Sequence, residues 1–161
     1  MIPTVTRQLV SIRRRLLETV LPELPPDAGF AREQALLISA ALEHLATTHE
    51  HEYRYAVVEN DDYQRAVRHL NQAGVRIEEL TRLLAEPRPR SDDGELPLAT
   101  ITEQTTRLKR ALVAMADTPA GAGALAELAA RQVEREGSWF RAAGFTAASP
   151  PISETLAGTT S

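Results

Sequence analysis

Apolar residues recur at every third or fourth position along most of this 161-residue chain. Such spacing places them on one side of an α-helix, as the first stretch illustrates with Val5, Leu9, Ile12, Leu16 and Val20. Alanine and leucine dominate the apolar set, and they favour helices because their side chains lose little rotamer freedom there. Aromatic residues make up only 4% of the chain, and no segment alternates in the manner of a β-strand. The sequence therefore predicts an all-α fold.

Prolines and polar runs divide the chain into predicted helices. Pro22 ends the first helix, and the second continues without proline until Asn60-Asp61-Asp62, which we interpret as a break that caps the third helix. A segment rich in proline and charge, residues 86–97, is predicted to be a loop. The predicted helices span about 4–21, 28–58, 61–85, 98–117 and 122–136, and Gly137 is expected just beyond the last of them.

Short connections between helices make neighbouring helices run in opposite directions. We therefore expect an antiparallel bundle of four to five helices with a long second helix, formed as one domain by residues 1–145. Residues 146–161 are rich in small and polar residues and are expected to form a tail that is either flexible or held by a partner. The residues predicted to face inward on the last two helices are Ile101, Leu108, Leu112 and Met115, and then Leu125, Leu128 and Val133.

Composition excludes several classes of function. The chain has no cysteine, so disulfides and thiolate chemistry are absent, and no stretch approaches the roughly 20 apolar residues of a membrane span. The N-terminus lacks the order of a signal peptide, which predicts a cytoplasmic location. The net charge of −4 gives no general attraction to nucleic acid. Lys109 is the only lysine among 18 basic residues, a bias typical of a GC-rich bacterial genome.

The predicted second helix carries a stripe at heptad spacing that changes from apolar to polar. Its later members, His44, Thr48, His51 and Tyr55, are the candidate ligand-binding residues, because buried polar groups need a partner. No metal site is predicted, since seven residues separate the two histidines, about 10.5 Å along a helix. The alternative is that these side chains are satisfied within a core. The complete stripe consists of Phe30, Gln34, Leu37, Ala41, His44, Thr48, His51, Tyr55 and Val58.

Large aromatic side chains concentrate near the C-terminus, at Trp139, Phe140 and Phe145. They either cover one end of the bundle or anchor a protein partner, since aromatic residues supply much of the binding energy at interfaces.

Two stretches of the N-terminal half carry a resemblance to a known family. Residues 16–24 read LLETVLPEL, and residues 35–42, in the following helix, read ALLISAAL. This helix–proline–helix pattern resembles an uncharacterised family of small bacterial helical proteins found beside phosphotransferase-type kinases and acyl-CoA dehydrogenases. The resemblance covers about the first 50 residues, and the run after His44 has no counterpart in it. It implies an accessory protein and carries over no catalytic residue.

The chain contains no motif of a nucleophile elbow, a phosphate-binding loop or a zinc protease, so no catalytic residue and no cofactor are predicted. We expect a non-catalytic accessory protein that acts through protein–protein association, either by self-assembly or by docking on an enzyme. The alternative is a small-molecule-binding or enzymatic bundle with a polar pocket around His44, His51 and Tyr55. Neither nucleic acid nor a membrane is an expected partner.

Overall fold

The structure is a computed structural model, described for residues 2–75, 78–87, 96–141 and 149–157. All regular elements in these ranges are helices and none is a strand, which confirms the all-α class. Among the same residues, no helix combines the length and apolar character that crossing a bilayer requires. The helices are α1 (Val5–Arg15), α2 (Leu21–Glu23), α3 (Gly29–Thr48), α4 (Glu52–Gln72), α5 (Glu78–Leu84), α6 (Leu98–Val113), α7 (Pro119–Trp139) and α8 (Ile152–Ala157).

The contacts divide the chain into two compact units. The first unit combines the described residues up to Glu50 with those from Gly137 to Ile152, and the second combines His51–Glu136 with the described residues from Ser153 onward. The residues predicted to form one domain, 1–145, therefore contribute to both units.

The predicted second helix is wrong in length. It ends at Thr48, and a 3₁₀ turn at His49–His51 separates it from α4. The predicted break at residues 60–62 is also wrong, because these residues lie inside α4, where Asn60 and Asp62 are fully buried. Their polar groups are satisfied by side chains of α6 and α7, so they do not have to end a helix.

The second unit contains a continuous hydrophobic core. The inward residues predicted for the fourth helix are all buried, which confirms them. Of the three predicted for α7, Leu128 is buried, Leu125 is partly buried and Val133 is exposed. Helix α4 ends at Gln72, and Gly74, just beyond its cap, has a φ of +87°, a left-handed conformation that glycine adopts without strain. The core consists of Val67, Leu70, Leu80, Leu83, Leu108, Ala111, Leu112, Met115 and Leu128.

Helix α7 is longer than predicted, since it runs through Gly137 to Trp139. The tail also contains a helix that the sequence did not suggest. Within α8, Ile152 and Leu156 are both buried, and the Arg54 guanidinium donates a hydrogen bond of 3.2 Å to the Leu156 carbonyl. Part of the predicted tail is therefore an ordered element of the fold.

In the first unit, α1 continues through a π-helical turn (Leu16–Val20) into α2, and it lies against α3. The Thr6 hydroxyl is 2.9 Å from Nε2 of His49, while Arg13 further along α1 forms an ion pair of 2.8 Å with Glu43. Arg13 also donates a hydrogen bond to the Ser39 carbonyl. The start of α1 is therefore beside the end of α3.

Candidate association surface

The apolar stripe of α1 and the apolar part of the stripe predicted to face inward on α3 are largely exposed to solvent, which corrects the prediction for α3. On α1, Val5 and Ile12 are each more than half exposed. On α3, Phe30 is 75% exposed and Leu37 is 57% exposed. The side of α3 that is buried carries Ala35 and Ser39 instead, and α1 has no buried residue. Small residues at the contact bring the two helices together and leave the large apolar side chains outside.

These exposed side chains lie on one side of the helix pair. At 100° per residue, Val5 and Ile12 are about 100° away from the Thr6 and Arg13 side that contacts α3. On α3, the exposed apolar side is about 120° from the side that contacts α1. The contacts of Thr6 with His49 and of Arg13 with Glu43 show that α1 and α3 run antiparallel. The exposed apolar sides of the two helices therefore point in the same direction. We call this surface the α1–α3 face, and it comprises Val5, Ile12, Val20, Phe30, Leu37, Ile38 and Leu45.

The α1–α3 face is large and uncharged. The exposed fractions of its residues amount to roughly 700 Å² of mostly apolar surface. The largest apolar patch on a typical monomer covers about 300–600 Å², and a standard protein interface buries about 800 Å² per partner. Nearby charged side chains form ion pairs outside it, such as Arg14 with Glu18 at 2.8 Å along α1. The face therefore has the size and chemistry of one half of an interface.

His44 lies at the end of this surface and connects the predicted ligand-binding residues to the predicted aromatic anchor. Its ring stacks on Phe140, with centroids 5.4 Å apart and planes 9° from parallel, and meets Trp139 edge-on at 6.2 Å. Its Nδ1 is buried and has no hydrogen-bond partner in the described part of the chain. Thr48 is buried, and its hydroxyl donates to the His44 carbonyl at 2.8 Å. The predicted anchor residue Phe145 lies outside the described residues.

The other two candidate ligand-binding residues belong to the second unit. His51 closes the 3₁₀ turn, and the Tyr55 hydroxyl accepts a hydrogen bond of 3.1 Å from Gln132. Burial raises the pKa of Tyr55, and the neighbouring Glu59 carboxylate raises it further. The turn at His49–His51 thus interrupts the single rod on which the predicted pocket was based, and the pocket stays a prediction.

A polar cluster in the second unit was missed at the sequence level. The carboxylate of Asp62 is fully buried and accepts from Arg65 at 2.8 Å, from Arg131 at 3.0 Å and from Arg135. The signals available in the sequence were the i,i+3 spacing of Asp62 and Arg65 and the i,i+4 spacing of Arg131 and Arg135, which places the latter two on one side of α7. Nothing in the sequence connected them to an aspartate about 70 positions away.

A second polar group links α4 to α6. The Asn60 amide donates to the Thr105 hydroxyl at 3.0 Å, and the Gln64 amide donates to the Asn60 oxygen at 2.8 Å. Across the described residues, no three His, Asp or Glu side chains are grouped so that they could hold a metal ion. Compared with protein-family models, curated proteins and solved structures, the chain has no significant match.

Proposed function

We propose that this chain is a non-catalytic helical protein that acts through protein–protein association, and that its first partner is a second copy of itself. The observation that carries the proposal is the α1–α3 face, an apolar surface on a pair of helices that buries no large side chain at its own contact. A pair of helices gains little stability unless its apolar side is covered. A bacterial source, a cytoplasmic location and an accessory role, as the family resemblance implies, belong to the same proposal.

The spacing of residues on α3 favours a helical partner. Positions 30, 34, 37 and 41 follow the alternating steps of four and three that make a seam between packed helices, whereas positions 44 and 48, which continue this spacing, are covered within the chain. Ile38 and Leu45 widen this seam on one flank, as in helices that contact two neighbours within a bundle. Two α1–α3 pairs facing each other would supply four helices with such surfaces. The predicted antiparallel bundle would then be completed by two chains rather than by one.

A second copy also matches the face in shape and charge. A two-fold symmetric interface uses the same patch on both chains, so the patch must be compatible with itself. The α1–α3 face meets this requirement because it carries no charge that would be repelled by its own copy. The other form of the hypothesis is docking on an enzyme. No feature of the described residues favours that partner as specifically.

Neighbouring leucines on α3 provide a matched test. Leu37 belongs to the α1–α3 face, whereas Leu36 is almost equally exposed, at 53% against 57%, but points about 100° away. We expect Leu37→Glu to convert a dimer into a monomer in sedimentation velocity, because it would bury a charge in the apolar centre of the interface. Leu36→Glu should leave the dimer intact. Circular dichroism would verify that both variants remain helical.

Two results would contradict self-association. The first is a native chain that sediments as a monomer at every concentration tested, which would leave docking on another protein as the surviving form of the hypothesis. The second is equal dissociation by the two substitutions, which would place the interface elsewhere.

A further inference from the structure

Among the described residues of the second unit, a groove lies between α4 and α7 and has no part in the proposed association. It encloses about 440 Å³, within the range of about 300–1,000 Å³ that is usual for small-molecule sites. Leu70 and Leu128 form its apolar floor, and small residues, including Ala124 and Gly123, line its length. Because these side chains are small, space remains between α4 and α7.

One end of the groove is basic. Arg65 and Arg131 line it there, and both are held by the same buried oxygen, Oδ1 of Asp62. The side chains of these arginines remain 40% and 46% exposed, so each guanidinium is fixed on one side and accessible on the other. Guanidinium groups held in this way are suited to bind a carboxylate through paired hydrogen bonds.

Three arginines share one buried carboxylate at this end, because Arg135 also binds Asp62. Arg65 has a second contact of 3.3 Å with Asp61, and Glu127 lies further along the groove. The buried aspartate therefore holds Arg65 and Arg131 next to each other at the end of the groove.

We propose that this groove binds an elongated organic acid, with its carboxylate on Arg65 and Arg131 and its apolar chain over Leu70 and Leu128. Along α7 the groove runs from Pro119 to Arg131, roughly 18 Å at 1.5 Å per residue, which suits a chain rather than a compact ion. The inference is independent of the proposed self-association, because it uses different helices and another unit.

The test uses octanoate as the probe, with octanol and inorganic phosphate as controls for the chain and for the charge. Titration calorimetry on the full chain should detect octanoate, and binding of octanol or phosphate should be weaker by about tenfold or more. A Cβ added at Gly123 meets no atom within 4 Å, so Gly123→Leu would fill the groove without a clash in the backbone. This variant should lose octanoate binding by at least about tenfold.

Ala126→Leu serves as the matched control, because it adds similar bulk to an exposed position of α7 outside the groove lining. It should bind octanoate like the native chain. Arg131→Gln should weaken octanoate and leave octanol unchanged. If this variant unfolds, Gly123→Leu still decides the question.

Three results would overturn the proposal. One is no detectable octanoate binding, and another is equal binding by the Gly123→Leu and Ala126→Leu variants. The third is octanol or phosphate binding as tightly as octanoate, since the site would then recognise only a chain or only an anion.

Discussion

Removal of the Asp62 carboxylate should destabilise the second unit more than any other single change to its polar groups. The carboxylate is fully buried and is bound by three arginines, of which Arg135 is itself only 3% exposed. In the Asp62→Ala variant, Arg135 would keep its hydrogen bond of 3.1 Å to Gln132 but would lose its negative partner. A buried charge without a partner is costly because water can no longer solvate it.

The expected loss of stability follows from the burial of the Asp62–Arg135 ion pair. Breaking a buried ion pair by deleting one partner costs about 3–5 kcal/mol. The more exposed Arg65 and Arg131 add at most about 1 kcal/mol each, because solvent screens their charges. For a chain of this size, 1 kcal/mol corresponds to about 2–4 °C in the unfolding temperature. We therefore expect the transition of the second unit to fall by about 6–28 °C.

Differential scanning calorimetry would measure this change, with Asp61→Ala as the control. The Asp61 carboxylate is 38% exposed and also contacts Arg65, so its loss should cost less than about 1 kcal/mol. The double variant Asp62→Leu with Arg135→Met should recover part of the loss, because it removes the isolated charge. Equal costs for the two aspartates, or a double variant less stable than Asp62→Ala, would refute this reasoning.

Two further predictions concern glycines and acid stability. A Cβ at Gly121 would overlap the Met115 carbonyl, so Gly121→Ala should lower the free energy of unfolding by about 1–3 kcal/mol in urea titrations. A Cβ at Gly123 meets no atom within 4 Å, so Gly123→Ala should raise the free energy of unfolding by about 0.5–1 kcal/mol. Arg107 donates hydrogen bonds of 2.6 and 2.7 Å to Glu86 and thereby lowers the pKa of the Glu86 carboxyl. This contact therefore stabilises the folded state fully above the unfolded pKa near 4.3, and the stabilisation is lost as the pH falls through the lower pKa of the folded state. Arg107→Leu should therefore lose less stability than the native chain between about pH 6 and about pH 3, by up to about 1 kcal/mol, and an equal loss would contradict this assignment.

The helical class and the interior of α6 could be predicted from the sequence because both depend on local periodicity. Ile101, Leu108 and Leu112 are buried where their spacing placed them. The same spacing on α3 was read as an inward face, yet Phe30 and Leu37 are exposed in a single chain. Periodicity indicates which side of a helix is apolar, but it does not identify the surface that covers it.

The polar interior could not be predicted, because its partners are far apart in sequence. Asn60 and Asp62 were interpreted as a helix break because asparagine and aspartate favour turns and helix N-caps. They are buried because Thr105 and Arg135 satisfy them from other helices. Conversely, the turn at His49–His51 contains neither proline nor glycine, so no residue in the sequence indicated that α3 ends there.

The proximity of two α3 helices from separate chains tests the central proposal most directly. The chain has no cysteine, so Ala40→Cys introduces a single spin label at an exposed position beside Leu37, on the rim of the α1–α3 face. With helices packed about 8–10 Å apart, the two labels should lie roughly 10–30 Å apart, which appears as line broadening in continuous-wave spectra at the short end and as dipolar modulation in double electron–electron resonance at the long end. A labelled protein that retains its helicity and shows neither effect would contradict a second copy on this face.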